Sequence, residues 1–262
     1  MIINGNCLEV LTRIPMVGAS QRIMFADPPD NIGLAYKGYD DSALSKENYY
    51  LWLKLLIMEV LPKCRLFWLT YNHIHDLEVC WMVRDIVKYR HPGWEVEKYI
   101  WRYTFSQYND YDCAYGYRPM LRMKRNDNIK MNVEAIREVS KRQLLGDPRA
   151  VGRRVPDNVW SVPRVVGNSV ERVDWMPTQL PIELMKRVIS FSLVDDNSKE
   201  ETFIDLFGGS GSSLMAGKEL GLKTKRVKIV EIDSFSCEKI KERLNSDEIE
   251  IIRFDDMFQW AD

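Results

Sequence analysis

The chain has 262 residues, enough for one large α/β domain or a domain with a small insert. Hydrophobic residues make up 45% and the net charge is −1, so bulk charge does not mark a nucleic-acid binder. The five cysteines (Cys7, Cys64, Cys80, Cys113, Cys237) form no C-x-x-C pair, which excludes a disulfide framework and a structural zinc site and suits a reducing cytosol.

No apolar run is long enough to span a membrane, and Met1–Asn6 is not expected to be a secretory signal. Gln21–Ala26 reads as a buried strand that runs into Pro28 and Pro29, which cannot continue a ladder. Lys46–Leu61 reads as a helix, with Leu51, Leu55 and Met58 at helical spacing and Pro62 as its stop. Cys64–Thr70 is a second apolar strand, and Asp76–Tyr89 a helix closed by His91-Pro92-Gly93. His73 and His75 stand two apart without a supporting Cys or carboxylate pattern, so no metal site is expected. Glu95–Thr104 and Tyr115–Lys124 read as strands.

Arg125–Asn158 is polar, basic and weakly periodic, and is expected to be a loop-rich insert. From Arg118 to Arg154 there are eleven basic residues against four acids, which suits either phosphate binding or a solvated helical face. Beyond it, Pro181–Leu193 reads as a helix, Thr202–Phe207 as a strand and Ser212–Leu220 as a helix. Lys225–Ile232 then reads as a strand, Ser234–Leu244 as a helix and Glu248–Arg253 as a last strand. This alternation predicts an α/β fold with an open, mostly parallel central sheet, helices on both faces and a small basic insert.

Asp205-Leu206-Phe207-Gly208-Gly209-Ser210-Gly211-Ser212 stands between a predicted strand and a predicted helix. Glycines let the backbone turn tightly and approach a ligand, and the helix start offers unpaired N–H groups. Glu231 ends the next strand, where an acid can accept hydrogen bonds from ribose hydroxyls. Leu214 stands where a dinucleotide fingerprint needs its third glycine, and no Lys-Ser/Thr pair makes a P-loop. The pattern suits a nucleoside cofactor without phosphates, S-adenosyl-L-methionine first, or a tight structural turn.

Asp27-Pro28-Pro29-Asp30 leaves its strand at the edge where such folds place ligands. The prolines stiffen the turn and present acceptors but no donors. Fixed acceptors can bind both N–H groups of an exocyclic amine. A carboxylate there stabilises the positive charge that the nitrogen gains as it attacks a methyl donor. The plain alternative is an Asp-Pro turn.

These two segments, in this order, resemble the β-class DNA amino-methyltransferases, in which Asp-Pro-Pro-Tyr precedes the glycine-rich cofactor loop and a target-recognition region lies between. Asn4-Gly5-Asn6-Cys7-Leu8 resembles that family's Gly-Asp-Cys-Leu, with Asn6 in place of the acid. Asp157-Asn158-Val159-Trp160-Ser161-Val162-Pro163 resembles its Asp-x-x-Trp-x-x-Pro. Met176-Pro177-Thr178-Gln179-Leu180-Pro181 resembles His-Pro-Thr-Gln-Lys-Pro, with Leu180 in place of the lysine. The likeness covers most of the chain.

It implies a Rossmann-like methyltransferase fold, with a catalytic half over 1–124, a target-recognition insert over 125–158 and a cofactor-binding half over 159–262. It implies S-adenosyl-L-methionine as cofactor, held by Asn6, Cys7, Asp27, Thr178, Gln179, Asp205, Phe207, Gly208, Gly209, Ser210, Gly211, Ser212, Glu231 and Ile232. Asp27, Pro28, Pro29 and Asp30 would hold the amine of a base flipped from double-stranded DNA. Tyr36, Tyr39, Arg122, Lys124, Arg125, Lys141, Arg142, Arg153 and Arg154 are the expected DNA contacts. An intracellular homodimer is implied, and adenine N6 is the preferred target. Cytosine N4 methylation and a non-catalytic relative stay open. Asp30 departs from the family, whose aromatic ring at that position stacks on the flipped base. Tyr36, Tyr39, Trp68 and Tyr71 are the candidate replacements.

Overall fold

The structure, a computed structural model, describes residues 1–36, 39–104, 110–126, 129–194, 200–246 and 248–257. Of Tyr39 it describes the backbone alone, so the DNA contact expected of that side chain lies outside the described residues.

The strands in chain order are β1 (Ile2–Asn4), β2 (Arg22–Ala26), β3 (Ala35–Tyr36), β4 (Tyr39–Asp40), β5 (Leu66–Thr70), β6 (Trp94–Arg102) and β7 (Tyr117–Arg125). There follow β8 (Glu138–Val139), β9 (Arg153–Arg154), β10 (Val159–Ser161), β11 (Thr202–Asp205), β12 (Val227–Glu231) and β13 (Ile251–Arg253). The helices are α1 (Cys7–Arg13), α2 (Lys46–Val60), α3 (Asp76–Arg90), α4 (Lys141–Leu144), α5 (Ile182–Ser192), α6 (Ser212–Glu219) and α7 (Ser234–Leu244).

Nine strands form one sheet in the order β10-β6-β7-β5-β2-β11-β12-β1-β13. Neighbours are parallel except around β7, which runs against both β5 and β6. The pairs β3–β4 and β8–β9 stand apart from it. Every residue of β2, β5 and β12 is buried, because helices cover both faces of the sheet. Ile23 and Phe25 of β2 face a core layer shared with Trp68, Phe203, Val188 and Ile240, against α5, α6 and α7. Met24 and Ala26, on the alternate face, join Phe67, Ile204, Leu53 and Val83 against α1, α2 and α3.

The chain leaves β2 through α2 toward β5, and leaves β11 through α6 toward β12, on the opposite side. β2 and β11 are paired, so their ends flank the crevice at a switch point, where open α/β sheets bind ligands. This puts Asp27 and Asp205, far apart in the sequence, side by side. β1, α1 and β10 carry no readable periodicity. β1 and β10 have three residues each and are strands because a neighbour supplies their ladder. Trp160 of β10 is buried, packed 5.1 Å from Tyr99 and 5.8 Å from Trp68 between ring centroids.

The direction of β7 overturns one expectation. Its start, Tyr117 and Arg118, reaches the ligand edge, and its end pairs with the starts of β5 and β6 at the opposite edge. Arg122 therefore stands away from the ligand edge, where a DNA contact was expected of it. It is buried, pairs with Glu97 and lies 5.2 and 5.3 Å from the rings of Tyr99 and Phe191. Lys124 pairs with Glu95 at 3.1 Å, and Arg125 ends the strand at the same far edge. Arg122→Met is expected to leave the salt dependence of DNA affinity unchanged, whereas loss of a phosphate contact lowers the slope of log K against log salt by about 1. Binding titrations at several salt concentrations read this directly.

Candidate active site

A cavity of about 860 Å³ opens at the ligand edge. Asn6, Cys7, Asp27, Pro28, Pro29, Asp30, Tyr36, Thr178, Gln179, Asp205, Phe207, Gly208, Gly209, Ser210, Ser212, Glu231 and Ile232 all line it. The turn after β2 thus faces the glycine turn after β11 and the acid that ends β12.

Asp27 is held by a residue 91 positions away. Arg118 donates from Nη2 to Asp27 Oδ1 at 2.6 Å. The same guanidinium grips Asp30 in a fork, Nη1 to Oδ2 at 2.7 Å and Nη2 to Oδ1 at 3.0 Å. Its Nε donates to Thr70 Oγ1 at 3.0 Å. Asp30 Oδ1 also accepts from the Asn72 N–H at 2.9 Å, and His75 Nε2 donates to the Asp30 carbonyl at 2.7 Å. Burial pushes the Asp27 carboxyl up to about 6, against the pull of Arg118 and with a further push from Asp30. Just past the turn, Asn31 has φ of 54°. The fully buried Asp41 accepts from the N–H groups of Asn31, Ile32 and Leu34 at 2.9 to 3.1 Å and holds this loop in shape.

On the glycine-turn side, Asp205 Oδ1 accepts from the Phe207 N–H at 3.0 Å and Oδ2 from Ser213 Oγ. Burial raises its carboxyl to about 7. Glu231 accepts from the Gly209 N–H at 2.7 Å and the Asp233 N–H at 2.9 Å, and burial raises it too. Gly208 lies so close to β12 that a Cβ would come within 2.8 Å of Ile229 Cδ1. Ser212 Oγ donates to the Leu180 carbonyl at 2.6 Å and ties the start of α6 to the loop before α5. Asn6 caps α1 by accepting from the Leu8 N–H at 2.9 Å, and burial pushes the Cys7 thiol up to about 12.

Two expected roles change, and Gln179 gains a second task. Gly211 does not line the cavity. Its φ is 80°, and a Cβ would come within 2.6 Å of Ile240 Cγ2, so helix packing demands glycine there. Gln179 lines the cavity, but its amide donates to the Glu171 carbonyl at 2.8 Å and accepts from the Val173 N–H at 3.1 Å, closing its own loop. Trp68 and Tyr71 are fully buried and cannot meet a base. Trp68 packs in the core and Tyr71 donates to Asp76 at 2.9 Å.

Tyr36 does reach the cavity, and its hydroxyl lies 3.1 Å from Thr178 Oγ1. Other rings that line it are Trp52, His73, Trp101, Tyr103, Tyr115, Trp175 and Phe207. Tyr115 is exposed and stacks on His73 with centroids 3.9 Å apart. Lys141, Arg142, Arg153 and Arg154 are exposed and none lines the cavity. Arg142 pairs with Asp147 at 2.6 Å. Arg118 and Asp41 were missed as site residues. The available signal was the second acid of Asp27-Pro28-Pro29-Asp30, since two carboxylates this close call for a cation.

Among the described residues no helix is long and apolar enough to cross a membrane. None of the curated protein sequences compared with the chain matches it. Among solved structures it is similar to M1.HpyAVI in complex with SAM, at a TM-score of 0.63 and 14% identity, over 94% of this chain and 100% of that one. It is also similar to TTHA0409 of Thermus thermophilus, a provisionally assigned DNA modification methylase complexed with S-adenosyl-L-methionine. That likeness has a TM-score of 0.59 and 15% identity, over 96% of both chains. At such identity these likenesses establish the fold, a Rossmann-like α/β sheet. A family model described as DNA methylase, of the N6/N4 type, matches residues 22–248. With that match spanning most of the sequence, the chain belongs to the N6/N4 DNA methylase family.

Proposed function

We propose that this protein transfers a methyl group from S-adenosyl-L-methionine to the exocyclic amine of a flipped DNA base, with adenine N6 as the target. The observation that carries this reading is the cavity shared by Asp27-Pro28, the glycine turn and Glu231. Its volume falls in the range of about 300–1,000 Å³ usual for small-molecule sites. The donor set fits the cofactor. Gly208 leaves no side chain between the turn and β12, and Glu231 offers a carboxylate at the strand end for ribose hydroxyls. Asn6, Phe207, Gly209, Ser210 and Thr178 complete the wall that would hold it.

When bound, the cofactor supplies an electrophilic methyl group on a sulfonium. Arg118 occupies Asp27 Oδ1 and leaves Oδ2 and the Pro28 carbonyl to accept the two N–H groups of the amine. Asp27 then stabilises the charge gained by the nitrogen and takes its proton. The exposed Lys141, Arg142, Arg153 and Arg154 suit phosphates, and we assign target recognition to the segment 129–158 that carries them. Adenine is preferred because Asp, rather than Ser, opens the Asp-Pro-Pro segment.

Incubation with labelled S-adenosyl-L-methionine and mixed-sequence DNA, followed by nucleoside digestion and mass analysis, is expected to yield N6-methyladenine. N4-methylcytosine would redirect the assignment to cytosine. Cofactor binding without any transfer to DNA would overturn it.

A further inference from the structure

We infer that Arg118 and Asp30 form a positioning pair for Asp27. Arg118 aims the carboxylate, and Asp30 cancels the charge that Arg118 would otherwise place beside the reacting amine. The inference rests on the transfer reaction proposed above.

The geometry of the pair is over-determined. Asp30 takes two parallel hydrogen bonds from the guanidinium, at 2.7 and 3.0 Å, which fixes its plane. Thr70 Oγ1 fixes the Nε end at 3.0 Å, and that hydroxyl in turn donates to the Pro119 carbonyl at 3.1 Å. The Asn72 N–H anchors Asp30 itself at 2.9 Å. The side chains of Arg118 and Asp30 are 12% and 9% exposed, so water screens the cluster weakly. A lysine at 118 could not reproduce this fork.

The charge count explains why an acid stands at position 30. Asp27 and Arg118 alone would sum to zero, and a cation 2.6 Å from the catalytic carboxylate opposes a second positive charge on the amine. With Asp30 the cluster carries one net negative charge, which favours the cationic transition state. Asp30 is therefore the required partner of Arg118 and not a stacking residue that has been lost. Stacking falls to rings elsewhere on the cavity wall, such as Tyr36 and Tyr103.

Several groups face Asp27 from the surrounding elements: Arg118 from β7, Asp30 from its own turn, Tyr36 from β3, Tyr103 beyond β6 and Asp205 from β11. Burial raises both tyrosines above their ordinary value, so they stay neutral in the working range. Asp205 keeps its own partners, Ser213 and the Phe207 N–H, whatever stands at position 30.

The test compares wild type with Asp30→Asn, Arg118→Met, Arg118→Lys and the double variant Asp30→Asn/Arg118→Met. Circular dichroism checks folding and calorimetry measures S-adenosyl-L-methionine binding. Single-turnover methyl transfer is followed against pH, and Asp27 is titrated by carboxyl ¹³C NMR. All folded variants are expected to bind the cofactor within about twofold of wild type. Asp30→Asn is expected to slow transfer about 10- to 100-fold while moving the acid limb and the Asp27 titration to lower pH, since a negative neighbour is gone.

Arg118→Met is expected to move both to higher pH. Arg118→Lys keeps the charge but loses the fork, so it is expected to slow transfer with little movement of the limb. The double variant is expected to recover part of the rate lost in Asp30→Asn. An Asp27 titration that stays put in both Asp30→Asn and Arg118→Met would overturn the inference. So would a double variant slower than either single one. Because the NMR titration needs no turnover, a wild type that methylates nothing would defeat the functional reading while the pair was still judged on its own.

Discussion

Asp27→Asn is expected to lose methyl transfer by about 10²- to 10⁴-fold, well beyond any change in its affinity for S-adenosyl-L-methionine. The amide keeps the size of the side chain and can still accept one N–H. It cannot carry the negative charge that the reacting nitrogen needs, nor take its proton. Its donors also meet Arg118 Nη2, now 2.6 Å from Asp27 Oδ1, in the wrong polarity in one of its two orientations.

The wild-type rate should follow ionisation of Asp27, raised from 3.8 to about 6 chiefly by burial. Activity is then half-maximal near pH 6, approaches its plateau well above that value and falls as pH drops through it. The stability consequence has the opposite sense. A carboxyl whose folded pKa lies above its unfolded value favours the fold in its protonated form. That contribution is present below about pH 4 and is lost as pH rises through about 6. Asp27→Asn removes the buried charge, so at pH 7–8 the variant is expected to melt no lower than wild type while remaining inactive. A melting scan paired with a transfer assay at two pH values separates this outcome from simple unfolding.

Gly211→Val is expected to cost about 2–5 kcal/mol of stability. Position 211 has φ of 80°, which a β-branched residue adopts only under strain, and its Cβ would meet Ile240 Cγ2 at 2.6 Å. α7 would have to move off α6, and both line the same core layer. For a chain of this size a loss of that order lowers Tm by roughly 5–15 °C. Because Gly211 does not touch the cavity, the folded fraction at low temperature should bind cofactor nearly as well as wild type. A large loss of affinity with Tm unchanged would return Gly211 to the cofactor contacts.

Two of the three glycines of this turn, Gly208 and Gly211, show how far local pattern reaches. Strand, turn and helix signals around Asp205–Ser212 are carried by adjacent residues, and they suffice to place a ligand loop there. Gly208 and Gly211 look alike in sequence. Only the packing of β12 and α7 makes one a cavity wall and the other a helix contact. Arg118 and Arg122 make the same point on one strand, four residues apart. The link between β6 and β7 holds no crossover helix among its described residues, so β7 returns antiparallel. That single reversal carries Arg118 to the reacting edge and Arg122 to the far one.

The sequence by itself determined the alternation of strands and helices, the stiff acceptor turn at Asp27-Pro28-Pro29, the glycine turn with Glu231, and hence the family. These depend on residues within a few positions of one another, and backbone preferences act over that range. Only the tertiary structure decided that Asp30 is the partner of Arg118, 88 positions away, and that Asp41, Gln179 and Gly211 hold the frame of the site. Which charges meet inside a sheet protein depends on strand order and direction, and those are set by how the whole chain buries its apolar faces.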